Sequence, residues 1–208
     1  MQEWSRRKGE VEDKKKSLEK KYDNAKSEKK KERYLNRLNE LNSSLNGMAM
    51  MEDNKDYTFH LNSNAVNPDL STLDNKNVDV NFAGSTASFV HESKHGEQLC
   101  LGDLNFVKNS QGKYVNGNKY GVSDEVEAYK AEFAFSNNLT FNYFDPNSKE
   151  ASVLSKTKSN DDLYHFFDVQ IRDFNSINPT SVSTMRERGE LLYPKSIDKN
   201  KSLEWINN

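Results

Sequence analysis

An α+β fold is predicted for this chain of 208 residues by three observations: a long charged helical run at the N-terminus, short alternating pieces of strand character in the middle, and helical stretches with apolar stripes after them. The run and the remainder are predicted to be different objects, a charged helical segment over 1–50 and a folded domain over 51–208. Residues 1–47 carry 14 Lys/Arg against 9 Asp/Glu, a net +5, which leaves −7 for the rest of a chain whose formal charge is −2. A hydrophobic content of 34% is low, so part of the chain is expected to be extended or solvated.

Residues 2–47 lack proline, contain only Gly9 before Gly47, and are rich in Lys, Glu, Arg and Leu, which favour helix. Tyr34, Leu38, Leu41, Leu45 and Met48 follow a four-three spacing, and Trp4, Val11 and Leu18 recur every seven, but charged residues break the seam around 26–33. One reading is a coiled coil or helical hairpin that links the domain to a partner. The other is a solvated helix that touches the domain only through Tyr34–Met48, and for residues 1–30 the composition predicts the second. The basic clusters Lys14–Lys16 and Lys29–Lys31 are offset by interspersed acids and lack interleaved aromatics, which argues against a nucleic-acid partner.

Beyond residue 53, Tyr57-Thr58-Phe59-His60 and Val78-Asp79-Val80-Asn81-Phe82 alternate as strands do. Gly84-Ser85-Thr86 turns into a helix that Gly102 can end in a left-handed cap. Gly112, Asn116-Gly117-Asn118 and Gly121 mark a hairpin or loop, with Tyr114-Val115 and Tyr120 as its strand pieces. A second helix follows, with Ser123 as N-cap and Asp124, Glu125 and Glu127 near its positive end. Residues 141–160 read as a connection. Asp161 to Asn175 has Leu163, Phe166, Phe167, Ile171 and Phe174 at helical spacing.

His91-Glu92-Ser93-Lys94-His95 lies on the first of these helices. Four residues apart, both imidazoles leave one face about one turn apart and can grip one ion, with Glu92 beside them to act on a water. A catalytic zinc takes three protein ligands, so a third is required. The extended HExxHxxGxxH pattern is absent, because Gln98 and Leu101 stand where it needs Gly and His. The third ligand is expected from the second helix. Glu127 shares a stripe with Ala131, Ala134 and Phe135, which permit close approach, whereas Glu125 lines up with Tyr129 and Glu132, so Glu127 is the expected ligand. Tyr120 is a candidate hydrogen-bond donor to a developing oxyanion. His60, as a strand residue, and His165, projecting away from its apolar stripe, are weaker candidates for a fourth ligand. Arg186, Arg188 and Tyr193 are cleft candidates that sequence cannot place.

FVHESKHGEQ followed by SDEVEAYKAEFA resembles the gluzincin-type metallopeptidase domains of bacterial polymorphic toxins and effectors, over roughly residues 77–140. The resemblance implies a zincin-like fold with His91, His95 and Glu127 on Zn²⁺ and Glu92 as base. It also implies a protein or peptide substrate, an immunity or carrier protein as partner, and a bacterial cytoplasmic chain exported by a specialised system. Lys94 departs from the usual uncharged central pair, and its helical position lets it point away from the metal.

No apolar run reaches the roughly 20 residues that span a bilayer, and the N-terminus lacks the apolar core of a secretory signal, so a soluble chain is expected. A single cysteine, Cys100, excludes an intrachain disulfide and reads as packing. No phosphate-binding glycine loop, Cys-x-x-Cys pair or nucleophile elbow is present. Two functions are left: a zinc peptidase, or a non-catalytic interaction module whose helical N-terminus carries the function above a degenerate or structural metal site.

Overall fold

The structure is a computed structural model that describes residues 2–117, 121–142 and 168–183. The N-terminal run folds as two helices, α1 (Gln2–Asp23) and α2 (Glu28–Asp53), joined by a short turn. Three strands come next, β1 (Thr58–Asn62), β2 (Asn64–Thr72) and β3 (Asn77–Ala83), then helix α3 (Thr86–Leu101). A small hairpin, β4 (Phe106–Lys108) and β5 (Tyr114–Asn116), leads towards helix α4 (Val122–Ser136). The predicted α+β class holds, and the chain divides into two units at Asn137/Asn138.

In the first unit the sheet order is β1-β3-β2, with β1 parallel and β2 antiparallel to the central β3. The alternation read from the sequence decides which side of β3 is apolar: Val78, Val80 and Phe82 are fully buried. Asn81 is buried too, but its amide is satisfied by Asp69 Oδ1 and Ser71 Oγ, both at 2.9 Å. Phe82 meets Phe89 of α3 edge to face at 5.5 Å, which seats the helix on the sheet.

The first 30 residues are part of this core, contrary to expectation. Val11 and Leu18 of α1 are fully buried with Leu38, Leu41 and Met48 of α2, Phe82, Phe89 and Val90, and Ala131 and Ala134 of α4. Trp4 packs edge to face on Phe89 at 5.5 Å. The three residues that repeat every seven are therefore the ones that dock α1. Charge was the misleading signal, because Lys and Glu on the outer side of a helix do not prevent a narrow apolar stripe from packing. The 1–50 segment is not separable from the sheet, α3 and α4 on which it packs.

Two glycines lie where α2 and α3 meet, the space beside each filled by the end of a side chain from the other helix. A Cβ on Gly47 would collide with the Glu97 side chain, and one on Gly96 with Met51. Helix α3 begins where the sequence expects, with Ser85 Oγ accepting from the Ser88 N–H at 3.0 Å, and it ends on Gly102 at φ +84°. Helix α4 starts two residues earlier than its expected cap. Gly121 takes the cap position, and its N–H donates to Asp124 Oδ2 at 2.7 Å, so Ser123 is already helical.

In the second unit, β6 (Leu139–Asn142) pairs antiparallel with β7 (Asp168–Ile171), followed by a 3₁₀ turn at Phe174–Ser176. A helix over Asp161–Asn175 was expected. Residues 161–167 lie outside the described residues, and 168–171 are a strand instead. Asp168-Val169-Gln170-Ile171 also alternates with period two, and a partner strand with four paired positions outweighs helical spacing that only a long helix would reward.

Candidate metal centre

The Gly84-Ser85-Thr86 turn that aims α3 is bolted to α1. Arg7, buried at 7% exposure, donates through Nη1 to Thr86 Oγ1 at 2.7 Å and through Nη2 to the Gly84 carbonyl at 2.6 Å. Glu10 accepts from the Thr86 hydroxyl, and Glu3 accepts from Arg7 Nε at 2.9 Å. At the far end of α4, Arg37 of α2 caps the helix, with Nε on the Ala134 carbonyl at 2.9 Å and Nη1 on Asn137 Oδ1 at 2.6 Å. A cation at a helix C-terminus is favoured by the helix dipole. Burial lowers the Arg37 pKa to about 10, which still leaves it charged at neutral pH. These two arginines fix the first turn of α3 and the last turn of α4.

Between the helices, His91 and His95 on α3, at i and i+4, face Glu125, Tyr129 and Glu132 on α4, and Gln98 one turn further on meets Asp124 and Glu127. His91 Nε2 lies 3.5 Å and His95 Nε2 3.8 Å from Glu125 Oε2. One ligand atom from each residue lies within 4.8 Å of the others. Zinc bonds of about 2.0–2.2 Å at tetrahedral angles separate ligand atoms by roughly 3.3–3.5 Å, close to the 3.5 and 3.8 Å from the two Nε2 atoms to Glu125. The other ring nitrogens are engaged, His91 Nδ1 with Glu132 Oε2 at 3.1 Å and His95 Nδ1 with Gln98 Oε1 at 2.8 Å. Such partners orient metal-binding imidazoles and keep the opposite nitrogen directed at the ion.

Comparison with protein-family models, with curated proteins and with solved structures finds no match.

His91 and His95 come together as the sequence predicts, but the carboxylate beside them is Glu125 and not the expected Glu127. The Ala131 and Ala134 stripe that recommended Glu127 does pack closely, into the core shared with Leu38, Leu41 and Met48 of α2. Positions 125 and 127 differ by about 200° around a helix, so Glu127 is turned away from the histidines. It is exposed and accepts from Gln98 Nε2 at 3.1 Å. The stripe Glu125, Tyr129, Glu132 meets the histidines, with the Tyr129 ring edge to face on His91 at 4.6 Å. The missed signal was complementarity between two helices, since the histidines at i and i+4 on α3 meet the Glu125, Tyr129, Glu132 stripe on α4.

Glu92 is 4% exposed, and its Oε2 has no hydrogen-bond partner among the described residues. Burial raises its pKa to about 8; His91 lowers it, while Glu125, Asp69 and Glu132 push it up. Burial opposes charge on His91, but hydrogen bonds to Glu125 and Glu132, with Glu92 adding its field, outweigh burial and hold its pKa well above the ordinary range. Acids crowded around two imidazoles call for a positive charge. A proton on His91 supplies it without metal, and a divalent cation would replace that proton. The donor set and the unpartnered Glu92 oxygen fit a metal with a reactive water beside it.

Lys94 does not oppose such an ion. Its amine is buried and donates to Glu97 Oε2 at 2.8 Å and Ser43 Oγ at 3.1 Å, on the α2 side. It pairs inward, where an outward path to solvent was expected. His60 is exposed on β1 and bonded to Asn77 Oδ1 at 3.2 Å, outside the cluster. Cys100 is half-buried, with its thiol pKa pushed up to about 11 by burial, as an inert packing residue requires. Tyr120, His165, Arg186, Arg188 and Tyr193 lie outside the described residues. No helix among the described residues is long and apolar enough to cross a membrane.

Proposed function

We propose that this chain is a zinc-dependent peptide hydrolase of zincin type, with His91, His95 and Glu125 as ligands. The observation that carries the reading is the convergence of two Nε2 atoms on one carboxylate while both Nδ1 atoms rest on side-chain partners. A His₂Glu set with one open position is a catalytic zinc arrangement, and both the HExxH spacing and the resemblance to toxin metallopeptidase domains agree with it. Zinc bound there would act as a Lewis acid that polarises a carbonyl and lowers the pKa of a water to about 7.

The protein's own groups do the rest. Glu92, one residue from a ligand and unpartnered at Oε2, takes the proton from the attacking water and returns it to the departing amine. Its high pKa suits it to hold a proton between the two steps, and a divalent charge nearby favours its carboxylate form at neutral pH. Glu132 and Gln98 keep the imidazoles aimed. The substrate is a protein or peptide, and the toxin or effector setting rests on the motif resemblance alone. The alternative interaction module would present its apolar helical face to a partner, whereas Val11, Leu18 and Leu41 are spent inside the core.

The test is direct. Purified protein is assayed for bound zinc and for cleavage of a diverse peptide pool with and without a chelator. Stoichiometric zinc with chelator-sensitive cleavage is expected, and zinc-free protein that cannot be reloaded would overturn the reading.

A further inference from the structure

We infer that Gln98 is a positioning residue that fixes which nitrogen of His95 faces the ligand set, and that Glu127 acts through it. The inference rests on the metal-site reading above. Gln98 is 1% exposed and lies one turn beyond His95. Its Nε2 donates to the Asp124 carbonyl at 3.2 Å and to Glu127 Oε2 at 3.1 Å. Both are acceptors. Turning the amide over would set its oxygen against two oxygens at a buried position, so Oε1 is held towards His95.

Oε1 has no proton to give, so the hydrogen in its 2.8 Å bond with His95 Nδ1 belongs to the imidazole. A neutral His95 then carries its lone pair on Nε2, the nitrogen 3.8 Å from Glu125 Oε2. The same amide grips residues 124 and 127, which bracket Glu125 on the first turns of α4. One side chain therefore sets the tautomer of one ligand and ties down the first turns of the helix that delivers another. His91 is held differently, by the Glu132 carboxylate directly. Glu127, expected as a ligand, becomes the anchor of the amide.

The experiment begins with metal-free wild-type protein labelled with ¹⁵N-histidine, whose ring correlations at alkaline pH report the tautomer. His95 is expected as the Nδ1–H form. Gln98→Leu should mix in the Nε2–H form and weaken zinc binding roughly 10–100-fold, the scale for a lost partner of a metal-binding histidine. Gln98→Glu alone sets a carboxylate against Glu127 and the Asp124 carbonyl and should bind poorly. Pairing it with Glu127→Gln restores both an acceptor for His95 and a donor from α4, and should recover at least ~10-fold of the lost zinc affinity, with the Asp124 carbonyl still opposing the new carboxylate. An Nε2–H form in the wild type, wild-type affinity in Gln98→Leu, or a paired variant no better than Gln98→Glu alone would each overturn the inference. A wild-type chain that binds no zinc would instead remove the metal-site reading, while the metal-free tautomer still decides the hydrogen-bond assignment.

Discussion

A carboxyl group at 4% exposure with one oxygen unpartnered resists ionisation, and this gives Glu92 a signature that can be measured without substrate. Its folded pKa is about 8 against an ordinary value of 4.5, so between those values the metal-free folded state holds a proton that the unfolded state has released. Folding is then progressively disfavoured as pH rises through that window. Glu92→Gln removes the titration. In metal-free protein the melting temperature of Glu92→Gln relative to wild type should rise steadily from pH 5 to pH 8; a pH-independent difference would show that Glu92 is not buried as described. In the zinc-loaded protein the same variant should keep its metal and lose at least ~10²-fold in peptide turnover, the scale of a lost general base, and full turnover would exclude Glu92 from the mechanism. The meeting of His91 with His95, and the place of Glu92 beside them, were legible because both follow from spacing within one helix. Glu125 was not, because choosing it over Glu127 requires the rotation of α4. That rotation is fixed by tertiary contacts at Arg37, Ala131 and Gln98.

Helix α1 shows how a stripe can be legible while its burial is not. Trp4, Val11 and Leu18 are visible at seven-residue spacing, but local sequence cannot say whether a partner surface exists for them. That surface is Phe82, Phe89 and α2, assembled from residues tens of positions away. Leu18 is 1% exposed, so Leu18→Ala should cost about 2–5 kcal/mol and lower the melting temperature by roughly 5–15 °C. Deleting residues 1–23 should abolish the cooperative transition, since it bares Phe89 and also removes Arg7 from the Gly84 carbonyl. An unchanged transition after the deletion would mean that α1 is an appendage after all. Arg7→Met tests the bolt alone. Its guanidinium carries the links to Gly84 and Thr86, and their loss should weaken the seating of α3 and be read as lower stability.

The whole first unit is arranged around the meeting of α3 and α4, with the sheet below α3 and the α1/α2 hairpin packed into the same core. The proposed ligand set is drawn from two helices and is assembled only in the folded state, so metal binding there would be coupled to folding. Zinc at 100 times its dissociation constant should stabilise the chain by about 2.7 kcal/mol, seen as a rise in melting temperature that a chelator reverses. The broad class and the order of strand, helix, hairpin and helix were readable from alternation and glycine placement. The strand at Asp168–Ile171 was not, because its pairing partner decides it. The central claim is that His91, His95 and Glu125 hold one metal ion, and zinc stoichiometry at neutral pH in Glu125→Ala and Glu127→Ala tests it most directly. Stoichiometric zinc in the wild type, loss in Glu125→Ala and weakened but retained zinc in Glu127→Ala is the expected result; zinc kept by Glu125→Ala and lost by Glu127→Ala would contradict it.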